Sequence, residues 1–334
     1  EHTPLGRRWV MPMRLPERTP PSLAASWASL PLEQRLSLTY PLRIAPPGLV
    51  ERLGQPEQKL RVLAIQAITR ISDDAVLPLC RCLHASEQGV VMGAVAALQK
   101  IGHPVSVPSL RWLAESTGDP LVRSAANAAA DAIIPGSSSR EAYGLLTDQA
   151  HAFSIDGGKM VRTYHDPVVW MTDGGSLNWK SVEGWELNEL RAEQVLADVL
   201  SLNPSGAGAM ALNACNQMAR WSEYRDVSAV ISNPVDAGDA DESELSNLRG
   251  RELEMQRVRS SAYSMTPEVV DAAVEIALTD RRPQAAIELI KTLESFDYSS
   301  GTSAVPGSVI RALTYDHRGV RFAAAHAVAF MGAA

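Results

Sequence analysis

The sequence predicts a mainly α-helical chain in which helix pairs stack into an α-solenoid, interrupted by a central insert with a small β-hairpin and a further helix pair. Three observations carry that expectation. One apolar pattern recurs at helical spacing along the chain. Aromatic residues make up only 5% of it while alanine is heavily used, which suits close-packed helices better than a β-sandwich. Between the recurrences the periodicity changes from that of helices to that of strands. With 334 residues, 46% hydrophobic and 21% charged, the chain can bury a large core, and wholesale disorder or a collagen-like fibre is excluded. A formal charge of −7 argues against a nucleic-acid partner. No apolar run approaches the length of about 20 residues that a transmembrane helix needs.

Residues 1–46 read as a Pro-rich extended arm. Nine of the 21 prolines fall within the first 47 residues, and proline lacks the donor that helix and sheet interiors require. Arg7, Arg8, Arg14 and Arg18 make the arm basic, while Trp9 and Trp27 give it apolar anchors. A mobile tail and an arm wrapped on this protein or a neighbour both fit that composition. The sequence begins at Glu1 and not at Met, which suits an exported or periplasmic protein after removal of a leader, with the cytoplasm as the alternative.

Residues 47–135 carry the repeat. Leu60, Ala64, Ala67, Ile68 and Ile71 trace one helical face, and the same face returns as Val90, Ala94, Ala97, Leu98 and Ile101 and then as Val122, Ala126, Ala129, Ala130 and Ile133. Each such helix follows a shorter apolar one ending in a polar turn: Leu49–Leu53, Val76–Leu83 and Val107–Leu113. The small alanines let neighbouring helices approach closely.

The same register reappears near the end of the chain, so residues 266–334 read as a second repeat block. Val320, Ala324, Ala327, Val328 and Met331 reproduce the face, and Ala285, Leu289, Leu293 and Phe296 give a weaker copy. Val122-Arg123-Ser124-Ala125-Ala126 and Val320-Arg321-Phe322-Ala323-Ala324 follow a valine-arginine plus alanine signature. In these segments the chain resembles bacterial short-type HEAT-repeat proteins, such as long planctomycete examples with a central helical insert. The resemblance implies a protein-interaction scaffold within a larger complex.

Residues 136–265 form the insert, opened by Pro135-Gly136-Ser137-Ser138-Ser139. A helix is expected over 141–153, then strands within 159–180 around Asp173-Gly174-Gly175-Ser176. A two-residue turn there sets Trp170 directly opposite Trp179. Leu187–Leu202 and Ala207–Trp221 flank Asn203-Pro204 as two helices similar to a tetratricopeptide-type pair. The acidic stretch from Asp236 to Glu244 reads as a solvated loop, followed by a helix over Leu248–Ser260.

No catalytic, cofactor-binding or metal-binding residues stand out, and no cofactor is implied. Gly206-Ala207-Gly208-Ala209-Met210-Ala211 has the spacing of a dinucleotide-binding turn, but it follows a helix and not a strand. No two of the seven histidines lie at the i, i+4 spacing of a helical metal site. His84, His103 and His317 fall in turns, where polar groups cap helices. Cys80, Cys82 and Cys215 read as buried thiols. The expected function is therefore a non-enzymatic protein-binding scaffold, a structural or assembly subunit. The alternative is a HEAT-type lyase, resembling the bilin lyases, or a chaperone-like protein that handles a chromophore or substrate protein. Candidate partner contacts are Trp9, Trp27, Trp170, Trp179, Trp185, Phe322 and Phe330, because exposed large aromatics carry much of a binding energy. Phe322, Ala325, Ala329 and Phe330 extend the apolar character around the last helix, so that face is expected to be covered by a downstream domain or another subunit.

Overall fold

In the computed structural model five helices are described in full in the N-terminal block: α1 (Gln58–Ile71), α2 (Val76–Cys82), α3 (Gln88–Ile101), α4 (Val107–Ser116) and α5 (Pro120–Ile133). The structure describes residue 53 and residues 58–160, 167–173, 176–232, 242–296 and 305–332, so the arm with Trp9 and Trp27 lies outside the described residues. Helices α1, α3 and α5 stack in a row, with α2 and α4 each packed on the helix that follows it.

The repeated face is the buried one. Ala64 and Ile68, then Val90, Ala94 and Leu98, then Val122, Ala126 and Ala130 are all at most 4% exposed. Val320 and Ala324 in the C-terminal block are fully buried, whereas the equivalent Val328 is half-buried.

Local chemistry sets the helix ends. Gly102 takes a left-handed φ of 72° after α3, a conformation that costs a glycine little. The Asp119 carboxylate accepts from the backbone N–H of Leu121 at 2.7 Å and of Val122 at 3.4 Å, and Pro120 fills the first helical position of α5. His103 is a cap as expected, its Nδ1 accepting from the Val105 N–H at 3.2 Å.

The arginine of the valine-arginine signature has a visible task. Arg123 donates to the carbonyls of Ala114 at 3.3 Å and Thr117 at 2.8 Å, and Arg321 donates to those of Tyr315 at 2.7 Å and Asp316 at 2.8 Å. In both units the second helix thereby satisfies carbonyls in the turn after the first helix, and in the N-terminal one also the Ala114 carbonyl in that helix's last turn.

The insert supplies α6 (Ala142–Met160), β1 (Val168–Asp173), β2 (Ser176–Ser181), α7 (Leu187–Leu202), α8 (Ala207–Ser232) and α9 (Glu242–Ala262). The strands pair antiparallel with Trp170 opposite Trp179 and Asp173 opposite Ser176, the expected register. Two expectations are corrected. Helix α8 runs to Ser232 and does not stop at Trp221, because the next proline after Pro204 is Pro234 and Ser222 and Tyr224 continue its buried face. Glu242 and Glu244, read from sequence as loop, open α9, where acidic side chains favour a helix N-terminus; residues 236–241 lie outside the described residues.

The C-terminal block holds α10 (Pro267–Thr279), α11 (Pro283–Glu294), α12 (Gly307–Ala312) and α13 (Arg318–Gly332). Trp170 and Leu177 of the hairpin belong to the N-terminal core, while Ala211, Ala214, Cys215 and Met218 of α8 belong to the C-terminal one. Between them α6, α7 and α8 share a small core of their own, against which Trp112 of α4 and Ile276 of α10 both pack. The insert thus bridges the two blocks. No helix among the described residues is long and apolar enough to cross a membrane.

Candidate functional site

At the C-terminal end, Gly319 opens α13 against α11. A Cβ there would meet Ile287 Cδ1 at 3.0 Å, a tight contact, so α13 begins close against the Ile287 side chain. Above this contact lies a groove of about 670 Å³ lined by Ile287, Lys291, Glu294, Arg318, Phe322 and His326. Phe322 is 73% exposed and Phe330 59%, and Ala325, His326 and Ala329 beside them are exposed too. At 100° per residue these positions fall on one side of α13.

Polar side-chain contacts brace the groove rim. His326 Nδ1 lies 3.1 Å from Glu294, and Lys291 Nζ lies 2.9 Å from Glu288, which also accepts from Arg225 at 2.7 Å. Burial would push the Glu288 carboxyl up, but the hydrogen bonds and charges of Lys291 and Arg225 outweigh it and hold it below the usual range.

The three central tryptophans separate. Trp170 is 8% exposed and packs in the N-terminal core, with its carbonyl accepting from Gln194 at 2.7 Å. Its strand partner Trp179 is 38% exposed. Trp185 is half-buried, its ring centroid 6.3 Å from that of Tyr224, with the Arg251 guanidinium 5.1 Å above it. Only Trp179 of the three offers an open surface.

A polar joint that the sequence did not reveal lies between α2, α4 and α7. Arg81 donates to Asp198 at 2.7 Å, His84 lies 3.4 Å from the same carboxylate and stacks on Trp112 at 3.9 Å, and Trp112 Nε1 donates to Ser201 at 3.0 Å. His84 is thus part of an inter-helix joint and not a simple cap. Beside it a cavity of about 40 Å³ is lined by Cys80, Gln149, Phe153, Trp170 and Arg191, among others.

All three cysteines are buried and free. Burial pushes the Cys80 thiol up to about 11 and those of Cys82 and Cys215 to about 12, so each is protonated at neutral pH. Cys82 donates to the Pro78 carbonyl at 3.2 Å. Gly206 of the dinucleotide-like spacing sits between α7 and α8 and lies close against the ring and hydroxyl of Tyr143, so it stands in a helix turn packed on α6. Among the described residues no group of three or more His, Cys, Asp or Glu side chains is placed to hold a metal ion.

A second cavity, of about 250 Å³, lies at the α10–α11 turn and is lined by Glu223, Asp226, Arg281 and Arg282. Arg281 adopts a left-handed φ of 57° there, in the position that glycine usually fills after a helix. Burial, with the Glu189 charge adding to it, pushes Glu223 up to about 7 against the partial offset of Arg282. A carboxyl raised in the folded state binds its proton more tightly there than in the unfolded chain. Its contribution therefore falls as pH rises from about 4.5 to about 7 and stays lost above. Glu223→Gln is expected to remove that slope and to stabilise the protein at pH 8 by about 1–3 kcal/mol after discounting for partial exposure. Denaturant melts of both proteins across this range check it, and an unchanged slope would contradict it.

Comparison with curated proteins gives no match. Residues 46–131, about a quarter of the chain, match the family described as HEAT repeats. The N-terminal block, whose buried face and helix stacking are described above, is thus similar in sequence to HEAT repeats, and the fold is a HEAT-like α-solenoid carrying a central insert.

Proposed function

We propose that the chain is a non-enzymatic protein-binding scaffold, a subunit of a larger assembly, and that a partner protein docks on the outer face of α13 and the groove beside it. HEAT repeats commonly act as protein-interaction scaffolds, which supports the general role. The observation that carries the specific reading is Phe322, a 73% exposed phenylalanine at the edge of a groove wide enough to take side chains from another chain. An aromatic beside a concavity is the arrangement that concentrates binding energy at interfaces. Phe330 extends the same surface, and Trp179 offers a separate contact on the hairpin. We read α7 and α8, joined at Asn203-Pro204, as a tetratricopeptide-like pair that stiffens the scaffold between its two blocks.

Affinity capture on the native full chain, with mass spectrometry, tests this against Phe322→Asp. The wild type is expected to retain one partner at fixed stoichiometry, and the variant to bind it about 30-fold to 1,000-fold more weakly, the range for losing a 2–4 kcal/mol anchor. Equal retention by both proteins would place the interface elsewhere, and turnover of a captured protein would remove the scaffold reading.

A further inference from the structure

We infer that the cavity between α2, α6, β1 and α7 is a binding site for a small oxyanion that carries an O–H of its own, of the hydroxycarboxylate or hydrogen-phosphate type. Its centre is Arg191, which is 5% exposed and whose Nε and Nη1 are buried without a hydrogen-bond partner among the described residues. The other buried arginines show how unusual this is. Arg111 donates to the Arg140 carbonyl at 3.1 Å, to Glu115 at 2.7 Å and to Asn127. Arg220 is enclosed by Glu186, Glu193 and Glu254. A guanidinium cannot shed its charge easily, so one buried without an anion is a large penalty that a bound anion removes.

The ligand's second feature comes from Gln149. It is 6% exposed and lines the same cavity. Its Nε2 is committed to the Val105 carbonyl at 2.6 Å, which fixes the orientation of the amide and leaves Oε1 as a buried acceptor without a donor. A plain carboxylate satisfies the arginine and leaves this oxygen bare; an anion bearing a hydroxyl satisfies both. The neighbouring carboxylate, Asp198, is already engaged by Arg81 at 2.7 Å and does not serve Arg191. Size agrees: about 40 Å³ holds roughly three waters or one small oxyanion, and no larger organic molecule. Phe153, Trp170 and Val195 contribute apolar walls, beside which a charge pairing is stronger than in open water. Burial holds the Arg191 guanidinium down to about 10.

Thermal melts and calorimetry on the full chain at constant ionic strength test the site, with glycolate, hydrogen phosphate, acetate and chloride as probes. Glycolate or phosphate is expected to bind at one site per chain and raise the melting temperature by several degrees at saturation, acetate less, and chloride not at all. A glycolate response without a phosphate response assigns the site to carboxylates, and the reverse assigns it to phosphate. Arg191→Met is expected to abolish every response and to melt higher than the wild type in anion-free buffer. Gln149→Leu is expected to keep the acetate response and lose the advantage of glycolate over it. If Arg191→Met does not fold, wild-type calorimetry together with Gln149→Leu decides the matter alone. No response of the wild type beyond chloride, or equal responses of wild type and Arg191→Met, overturns the assignment and leaves the cavity to water.

Discussion

Replacing Arg220 by methionine is expected to cost about 3–5 kcal/mol of stability, the usual penalty for removing one partner of a buried ion pair. The guanidinium donates to Glu186 at 3.2 and 3.1 Å, to Glu193 at 3.3 Å and to Glu254 at 2.6 Å, so it fastens α7, α8, α9 and the turn before α7 at one point. The Arg220 side chain is 4% exposed and that of Glu186 2%. Without the cation, Glu186 keeps its bonds from Arg251 and from the Glu183 backbone N–H, and Glu193, whose carboxyl burial already pushes up, loses its main counter-charge. Chemical denaturation of the variant should show the loss, and adding Glu186→Gln should recover part of it. The penalty should also shrink as pH falls and the stranded carboxyls protonate. A loss under 1 kcal/mol would mean that water reaches the cluster.

Leu98→Ala is expected to cost about 2–5 kcal/mol, the range for truncating a buried leucine to leave a cavity. Leu98 is fully buried, and its repeat equivalents are Ile68 and Ala130, both at most 2% exposed. The large Ile68 and Leu98 are thus followed by the small Ala130 along the stack, and the Ala130 slot has no spare bulk to fill a hole at 98. Because a solenoid unit touches mainly its neighbours, the N-terminal block should open before the rest and the denaturation curve should broaden. A uniform shift without broadening would show that the insert couples the two blocks into one cooperative unit.

Much of the fold was legible because a helical repeat writes its buried face into the spacing of Ala and Val. The hairpin register was legible too, since Asp173-Gly174-Gly175-Ser176 fixes which residues oppose each other. Which body covers a strand face is a different matter: alternation says that Trp170 and Trp179 share a side, but only the fold shows Trp170 in the N-terminal core and Trp179 at its edge. Phe322 and Phe330 were visible as apolar residues on the outer side of a terminal helix, whereas the groove beside them depends on the approach of α11 at Gly319. The Arg191 cavity left almost no trace in the sequence, because Arg191 and Gln149 lie 42 positions apart and neither stands in a motif. The one trace of it is a polar residue on the inner face of an expected helix, which by itself names no partner.

The arginines that reach back to the preceding turn have a kinetic consequence. Arg123 bonds to carbonyls 6 and 9 residues earlier, and Arg321 to carbonyls 5 and 6 residues earlier, so each fastening closes a loop of minimal length. Such contacts form on the timescale of helix and turn formation and lower the loop-closure entropy faced by later, longer-range docking. Each repeat block is thus expected to start assembling from its own local contacts, and the step expected to wait is the seating of Trp170 and Leu177 on a block whose last helix ends 35 residues before the strand begins.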